Sequence, residues 1–282
     1  MKKLILIASL SAILVSAGCT FTVNVPATTV GETQTLTINE AIPTGASPAE
    51  LTIDMGAGEL FLSGGSDKWV TGTVDYNITE WKPLITRNEN SLKIAPRSNQ
   101  VWNIPTSKVV NKWDLKLGSL PMALTINAGA YKGAIDLTGL SITSLEINDG
   151  ASEGKVRFDE PNPVEMDKLV YRTGASSISL IGLSNANFRK MTFDGGAGNY
   201  TLDFSGTLAR DTEVTVKAGV SNVDLIIPAD MNVKVEVNGG VNSIRPTGPW
   251  MVNGTTYSLE NNGPLLTVVV DMGVGNLNLI QK

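Results

Sequence analysis

Two short motifs in one segment match patterns of serine enzymes. Residues 150–154 (GASEG) match the G-x-S-x-G pattern of hydrolases, and Ser152 with Lys155 matches the S-x-x-K pattern of penicillin-recognising enzymes. The first pattern needs a strand-to-helix turn and a histidine base, and the second needs a serine at the start of a helix. The chain contains no histidine, and the segment is one copy of the repeat described below. We therefore predict no catalytic residue here.

Polar residues two positions before a recurring glycine form a second candidate. They are Asp54, Asn127, Asn148, Arg172, Asp194, Lys217, Asn238 and Asp271. Calcium accepts carboxylate and amide oxygens but needs six or more of them close together, and two cations interrupt this series. We expect asparagine ladders and mixed-charge pairs, with Asn127 and Asn148 as candidate ligand contacts. Because the chain also has no histidine and a single cysteine, we predict no metal and no cofactor.

Three residues call for comparison with enzymes that cleave acidic polysaccharides on the face of a parallel β-helix. Such enzymes use aspartate clusters or an arginine base, and Arg157, Asp203 and Asp224 are of the required types. The three do not share one offset from their repeated glycines, which argues against a cluster. The sequence therefore favours a protein that is not an enzyme, and a polysaccharide-interacting module, catalytic or not, is the alternative.

A short repeat must position all of these residues. Two alternating apolar residues, a polar one and any residue precede a glycine, and Ala or Val follows it. The glycines are Gly56, Gly129, Gly150, Gly174, Gly196, Gly219, Gly240 and Gly273. The positions five and three before each glycine are apolar in all eight copies, and a second alternating strand follows the glycine. Alternation with a period of two indicates strands with one buried face.

The spacing of the glycines predicts the architecture. The five intervals between Gly129 and Gly240 are 21, 24, 22, 23 and 21 residues, so we predict an all-β fold: a parallel β-helix (β-solenoid) of about eight coils of 21–24 residues. Each glycine marks a corner, where a positive φ or a close approach to the next coil excludes a Cβ. We expect the following Ala or Val to fill the inside of that corner.

Two longer intervals interrupt the repeat. The 73-residue interval from Gly56 to Gly129 contains Trp69, Trp81, Trp102 and Trp113. We expect these rings to cap the open end of the core, with stacking on sugar rings as the alternative. The 33-residue interval before Gly273 predicts a protruding loop in which Trp250 is exposed and is a candidate ligand contact. The final strand, residues 265–280, is expected to be uncapped and free to pair with another chain.

The first residues have the order of a bacterial secretory signal. Lys2 and Lys3 precede an apolar run, residues 4–15, which is too short to span a bilayer, and small residues follow it. Residues 14–19 (LVSAGC) resemble a lipobox, so we predict that Cys19, the only cysteine, carries a diacylglycerol. Cleavage by an ordinary signal peptidase and free secretion are the alternative. The predicted location is the cell membrane or outer membrane, outside the cytoplasm, with the bilayer as the partner of acylated Cys19.

Charge excludes one class of partner. Removal of residues 1–18 takes away Lys2 and Lys3, so 20 basic residues remain against 27 acidic ones, a net charge of −7. Nucleic acid binding requires basic patches, and none is visible. The remaining candidates for a partner are an envelope protein and a glycan.

Residues 50–60 (ELTIDMGAGEL), followed by Gly64 and Gly65, resemble the start of the toast-rack domain of bacterial surface lipoproteins. Relatives of this domain include the C-terminal domain of LiaF-like envelope-stress proteins and adhesin-type β-solenoids. The resemblance covers roughly residues 33–282 and implies a β-helical surface domain with a binding or scaffolding role in envelope stress or adhesion. The expected organisation is a signal peptide (1–18), a tether and first strand (19–48), an N-terminal toast-rack-like β module (49–118) and the β-solenoid (119–282).

Overall fold

The computed structural model describes residues 29–45, 48–98, 109–240 and 243–282. The predicted signal peptide, Cys19 and Trp102 lie outside these ranges. The strands are β1 (Gln34–Glu40), β2 (Ala49–Gly64), β3 (Val70–Tyr76), β4 (Pro83–Asn88), β5 (Ser91–Pro96), β6 (Asn111–Leu117), β7 (Met122–Asp136), β8 (Ile142–Arg157), β9 (Met166–Ile181), β10 (Phe188–Asp203), β11 (Thr212–Ile227), β12 (Asn232–Gly239), β13 (Ser243–Thr247), β14 (Met251–Asn253), β15 (Thr256–Leu259) and β16 (Leu265–Gln281). Two short 3₁₀ helices span Thr79–Trp81 and Leu183–Ala186. Among the described residues, no helix has the length and apolar character needed to cross a bilayer.

The long strands stack in parallel and in register. Strands β2, β7, β8, β9, β10, β11 and β16 each run through a repeated glycine and pair with their neighbours on both sides of it. The apolar positions five and three before the glycines are buried in every coil. The prediction of an all-β parallel solenoid is confirmed, and the remaining repeated glycine, Gly240, lies between β12 and β13.

A close approach between coils explains the glycine corners. None of the corner glycines has a left-handed φ. A Cβ on Gly174 would lie 2.4 Å from the carbonyl oxygen of Gly150, and one on Gly150 would lie 2.6 Å from that of Gly129. The same clash recurs up the stack. Of the two reasons proposed for these glycines, close approach is therefore the one that applies.

The residue after the corner glycine does not fill the corner in any coil where the structure describes it, so that expectation is wrong. Val220 is 65 % exposed, and its neighbour Val274 on β16 is exposed as well. The glycine and the residue after it both face outward at the bend. The inside is occupied by the residues one before and two after the glycine, such as Ala218 and Ser221, which are buried.

The last coils are stacked in a different order from their order in the chain. Strand β16 lies between β11 and β12, and it also pairs with β13. After β11 the chain first forms the β12–β13 coil and then the β14–β15 hairpin. It then returns as β16 to the position between β11 and the β12–β13 coil. The prediction that residues 265–280 form an uncapped strand is therefore wrong, because β16 is paired along both edges.

The N-terminal end of the stack is covered by the insertion within the first coil. Strand β2 belongs to the stack because one of its edges pairs with β7. On its other edge, β5 pairs with the first half of β2 and β6 pairs with the second half. Strand β4 pairs with β5, and β1 and β3 continue outward from β6. Trp69, Trp81 and Trp113 are buried in this end, as the capping interpretation requires.

Candidate functional site: a groove on the second sheet face

The polar residues before the corners form a ladder on the outward face. Asn127 Nδ2 donates to Asp54 Oδ1 at 2.7 Å, and Asn148 Nδ2 donates to Asn127 Oδ1 at 2.9 Å. Arg172 Nη1 then donates to Asn148 Oδ1 at 3.1 Å and to Glu146 Oε1 at 2.7 Å. These hydrogen bonds link four consecutive coils. The amides of Asn127 and Asn148 are thus engaged along the stack, and their candidate role as ligand contacts stays a prediction.

Trp250 is not the exposed aromatic that the loop composition suggested. It is only 9 % exposed, packs into the core cluster, and donates from Nε1 to the carbonyl oxygen of Thr247 at 3.2 Å. The loop folds back because burial removes the apolar ring from water and the nearby carbonyl satisfies its N–H. The expectation that Trp250 is exposed is therefore wrong. The exposed apolar residues of this region are Met251 and Val252.

The serine motifs contain no assembled nucleophile. Ser152 lies in the middle of β8, is buried, and accepts a hydrogen bond from the Tyr131 backbone N–H at 3.4 Å. Lys155 lies on the opposite, exposed face of the same strand. The two side chains therefore do not meet, in agreement with the absence of the helix start that an S-x-x-K serine needs.

The residues considered for polysaccharide cleavage have separate partners. Arg157 forms ion pairs with Asp136 and Asp159. Asp203 accepts the backbone N–H of Ser205, and Asp224 accepts a hydrogen bond from the amide of Asn278. No group of three or more Asp, Glu, His or Cys side chains placed to hold a metal ion occurs within the described ranges.

A groove that the sequence reasoning missed lies on the outward face of the strand halves that follow the corner. Two adjoining depressions of about 260 and 520 Å³ share Phe61, Ala134 and Lys155. These three residues and Ser179 occupy one column, since they are register partners on β2, β7, β8 and β9. We call the two depressions together the groove, and this column is its floor.

Charged side chains form the two walls of the groove. Lys132 and Glu153 make an ion pair of 3.2 Å on one side, and Arg157 pairs with Asp136 on the other. Partial burial raises the pKa of Asp136, but hydrogen bonds from Arg157 and Thr138 outweigh it and leave that pKa below its ordinary value. The walls therefore offer cationic donors and carboxylate acceptors at neutral pH.

An exposed aromatic ring stands at one end of the floor. Phe61 is 37 % exposed, and Lys112 Nζ lies 5.6 Å from the centre of its ring. The neighbouring floor residue, Ala134, is small and leaves the face of the groove open. A signal for this site exists in the sequence, because Leu60 and Leu62 alternate inward and therefore place Phe61 outward.

A buried polar network lies inside the corners of β8 and β9, and sequence reasoning missed it as well. Asp149 accepts hydrogen bonds from Tyr171 Oη at 2.7 Å and from Thr173 Oγ1. Tyr171 Oη lies 3.1 Å from Tyr131 Oη, and Thr173 Oγ1 lies 2.6 Å from Ser176 Oγ, whose hydroxyl can donate to it. Burial raises the pKa of Tyr131 to about 12 and also raises that of Tyr171. These hydroxyls therefore stay protonated at neutral pH, and their hydrogen bonds satisfy the polar groups that are packed inside the corner.

The protein is therefore a parallel β-solenoid, and its exposed charged, polar and aromatic side chains lie on the outer faces of its strands. The family described as the N-terminal domain of toast_rack, DUF2154, matches residues 26–167 and 162–226. This match spans well over half of the chain, so the chain belongs to that family. The resemblance seen at residues 50–60 is thereby confirmed.

Solved structures with a similar fold come from several bacteria. One, from Clostridium sporogenes ATCC 15579, is described as a proposed cell adhesion protein; it is 20 % identical, with 89 % of this chain and 99 % of that chain covered and a TM-score of 0.49. Another, a proposed adhesin from Bacteroides fragilis NCTC 9343, is 12 % identical, with 88 % and 96 % covered and a TM-score of 0.45. No curated protein sequence matches the chain.

Proposed function

We propose that this protein is a non-enzymatic binding element of the bacterial cell surface, held to the membrane by acyl chains on Cys19. The support for the anchor is in the sequence. A basic start, an apolar run and small residues lead directly into the only cysteine of the chain. A single free thiol would be chemically awkward in an oxidising compartment, and acylation removes that difficulty.

We propose further that the groove binds a glycan of the cell envelope. The observation that carries this proposal is the exposed ring of Phe61 at the end of a floor with small Ala134, between two walls of paired charges. Ligand sites combine an apolar surface with a few oriented polar groups. The groove follows the stack across four strands, so it can accept an extended chain. The family resemblance suggests adhesion or envelope-stress sensing as the cellular setting.

The test compares two truncations on an array of bacterial cell-wall polysaccharides. Phe61→Ala removes the ring from the groove, whereas Val252→Ala removes an exposed apolar side chain on β14 at the other end of the sheet. Loss of one stacking contact worth about 1.4 kcal/mol corresponds to about tenfold weaker binding. We expect that loss for Phe61→Ala and wild-type binding for Val252→Ala. Equal binding by all three proteins, or no binding by the wild type, would contradict the glycan proposal.

A further inference from the structure

The N-terminal end of the stack carries exposed apolar residues. Leu84 and Ile85 lie on β4, which among the described strands is hydrogen-bonded only to β5, and they are 45 % and 38 % exposed. Ile42 is also exposed, and the hydrogen bond from Arg87 Nη1 to the carbonyl oxygen of Ala41 holds its segment beside β4. We call Ile42, Leu84 and Ile85 the terminal patch. Because consecutive residues of a strand point to opposite faces, Leu84 and Ile85 lie on the two sides of β4, and exposed apolar residues at one end of a protein mark a candidate contact surface.

Basic residues flank the terminal patch. Lys82 and Arg97 are side by side, since the Arg97 N–H donates to the Lys82 carbonyl oxygen at 3.0 Å. Both side chains are exposed, and neither forms an ion pair with another described residue. Residues 79–98 contain four basic and two acidic residues, whereas the whole chain has 22 basic and 27 acidic ones. Arg87 and Lys93 pair with Glu40 and Asp54, so Lys82 and Arg97 are the cations that this end presents without an ion-pair partner among the described residues.

The tether joins the body near this same end. The described chain begins at Thr29, and the Gly31 N–H donates to the Asn77 carbonyl oxygen at 2.8 Å. Asn77 is seven residues from Leu84 along the chain. The ten residues from Cys19 to Thr28 can span at most about 35 Å when fully extended. An acylated Cys19 therefore keeps this end of the body close to the bilayer.

We propose that the terminal patch rests on the headgroup region of the anionic bilayer that holds Cys19, so that the stack stands on its N-terminal end. This inference rests on the anchor in the proposed function. Apolar side chains beside cations match an interface of anionic headgroups and acyl chains. The outer backbone edge of β4, with which no described strand pairs, limits the contact to interfacial depth, because unsatisfied N–H and C=O groups are costly in hydrocarbon. The β14 end then points away from the membrane, with the groove along the side.

The experiment uses the lipidated protein with one added cysteine. Acylation blocks Cys19, so Leu84→Cys or Val252→Cys supplies the sole reactive thiol. The two positions are matched, since both are exposed apolar residues on outer strands, 45 % and 56 % accessible. Each is labelled with a polarity-sensitive fluorophore and reconstituted in phosphatidylcholine–phosphatidylglycerol vesicles that contain nitroxide lipids. Ile42→Cys provides a second patch position in case the Leu84 variant does not fold.

We expect several-fold stronger quenching at position 84 than at position 252, and weaker quenching at high salt because the electrostatic attraction is screened. Equal quenching at both positions, or none at either in protein that floats with the vesicles, overturns this inference alone. Disulfide cross-linking between copies through position 84 without quenching shows that β4 pairs with a second copy, and also overturns it. Wild-type protein that does not float with the vesicles refutes the anchor, and the inference fails with it.

Discussion

The close-approach explanation for the corner glycines can be tested by comparing alanine substitutions at two of them, Gly174 and Gly56. In Gly174→Ala, the new Cβ would lie 2.4 Å from the Gly150 carbonyl oxygen and 3.3 Å from its carbon. Both atoms belong to the backbone of the neighbouring coil, so no flexible side chain can move aside. Relief requires the two coils to separate by about 1 Å at the corner, where ordinary Cβ contacts begin at about 3.4 Å.

Gly56→Ala is the matched control because no coil with a corner glycine lies beneath it. A Cβ on Gly56 would meet nothing nearer than the indole nitrogen of Trp81, at 3.9 Å. Overpacking costs about 1–3 kcal/mol, and the reduced freedom of the unfolded chain returns about 0.4–1 kcal/mol. We therefore expect Gly174→Ala to lower the free energy of unfolding by about 1–2 kcal/mol and Gly56→Ala to leave it unchanged or slightly higher.

The assay is denaturant and thermal unfolding followed by circular dichroism. For a protein of this size, each kcal/mol shifts the Tm by about 2–4 °C. If both variants lose the same stability, a backbone conformation shared by the two glycines is responsible, and the close-approach explanation is refuted. A Gly174→Ala variant as stable as the wild type would refute it equally.

Three further predictions concern the core and the end of the stack. Asp149→Ala removes the charged acceptor of the Tyr171 and Thr173 hydroxyls, which keep only their contacts with Tyr131 and Ser176, and should cost about 1–3 kcal/mol in denaturant unfolding; a loss below about 0.5 kcal/mol would contradict the network. Burial raises the pKa of Tyr131 to about 12, so between about pH 10 and 12 this phenol ionises only in the unfolded chain, and the free energy of unfolding should fall over that range after holding below pH 10. Tyr131→Phe should make this fall with pH less steep. Hydrogen exchange should be slow along β16, which is paired on both edges, and rapid exchange there would argue against its insertion.

Periodicity was enough to predict the stack because each coil repeats the same physical demand. Alternating apolar residues need a buried face, and the close approach between neighbouring coils admits only glycine at the corners above Gly56, so both features recur along the stack. The position of β16 could not be predicted, because nothing in its pattern distinguishes an outermost strand from one enclosed by β11 and β12. The orientation of Val220 was mispredicted for a similar reason. A residue beside a bend alternates with its neighbours only if the strand continues straight through it.

Surface sites are harder to predict than the core. Asn127 and Asn148 were correctly placed in a ladder, since identical offsets on stacked strands must become neighbours. Phe61 could have been found from its position between two inward leucines. The groove depends in addition on the small side chain of Ala134 in the next coil, and so on which residues the register brings together. Trp250 shows the opposite error, because flanking Pro and Gly indicate a loop but do not indicate whether its ring folds back onto the core.

The most direct test of the proposed surface anchor is the intact mass and membrane partition of the protein expressed in a bacterial host, with Cys19→Ala beside the wild type. We predict that the wild type carries a diacylglycerol mass on Cys19 and partitions with membranes, while the variant lacks this mass and does not remain membrane-bound through acyl chains. Wild-type protein cleaved after Ala17, without added lipid mass and recovered in soluble form, would contradict the anchor and indicate a secreted binding solenoid.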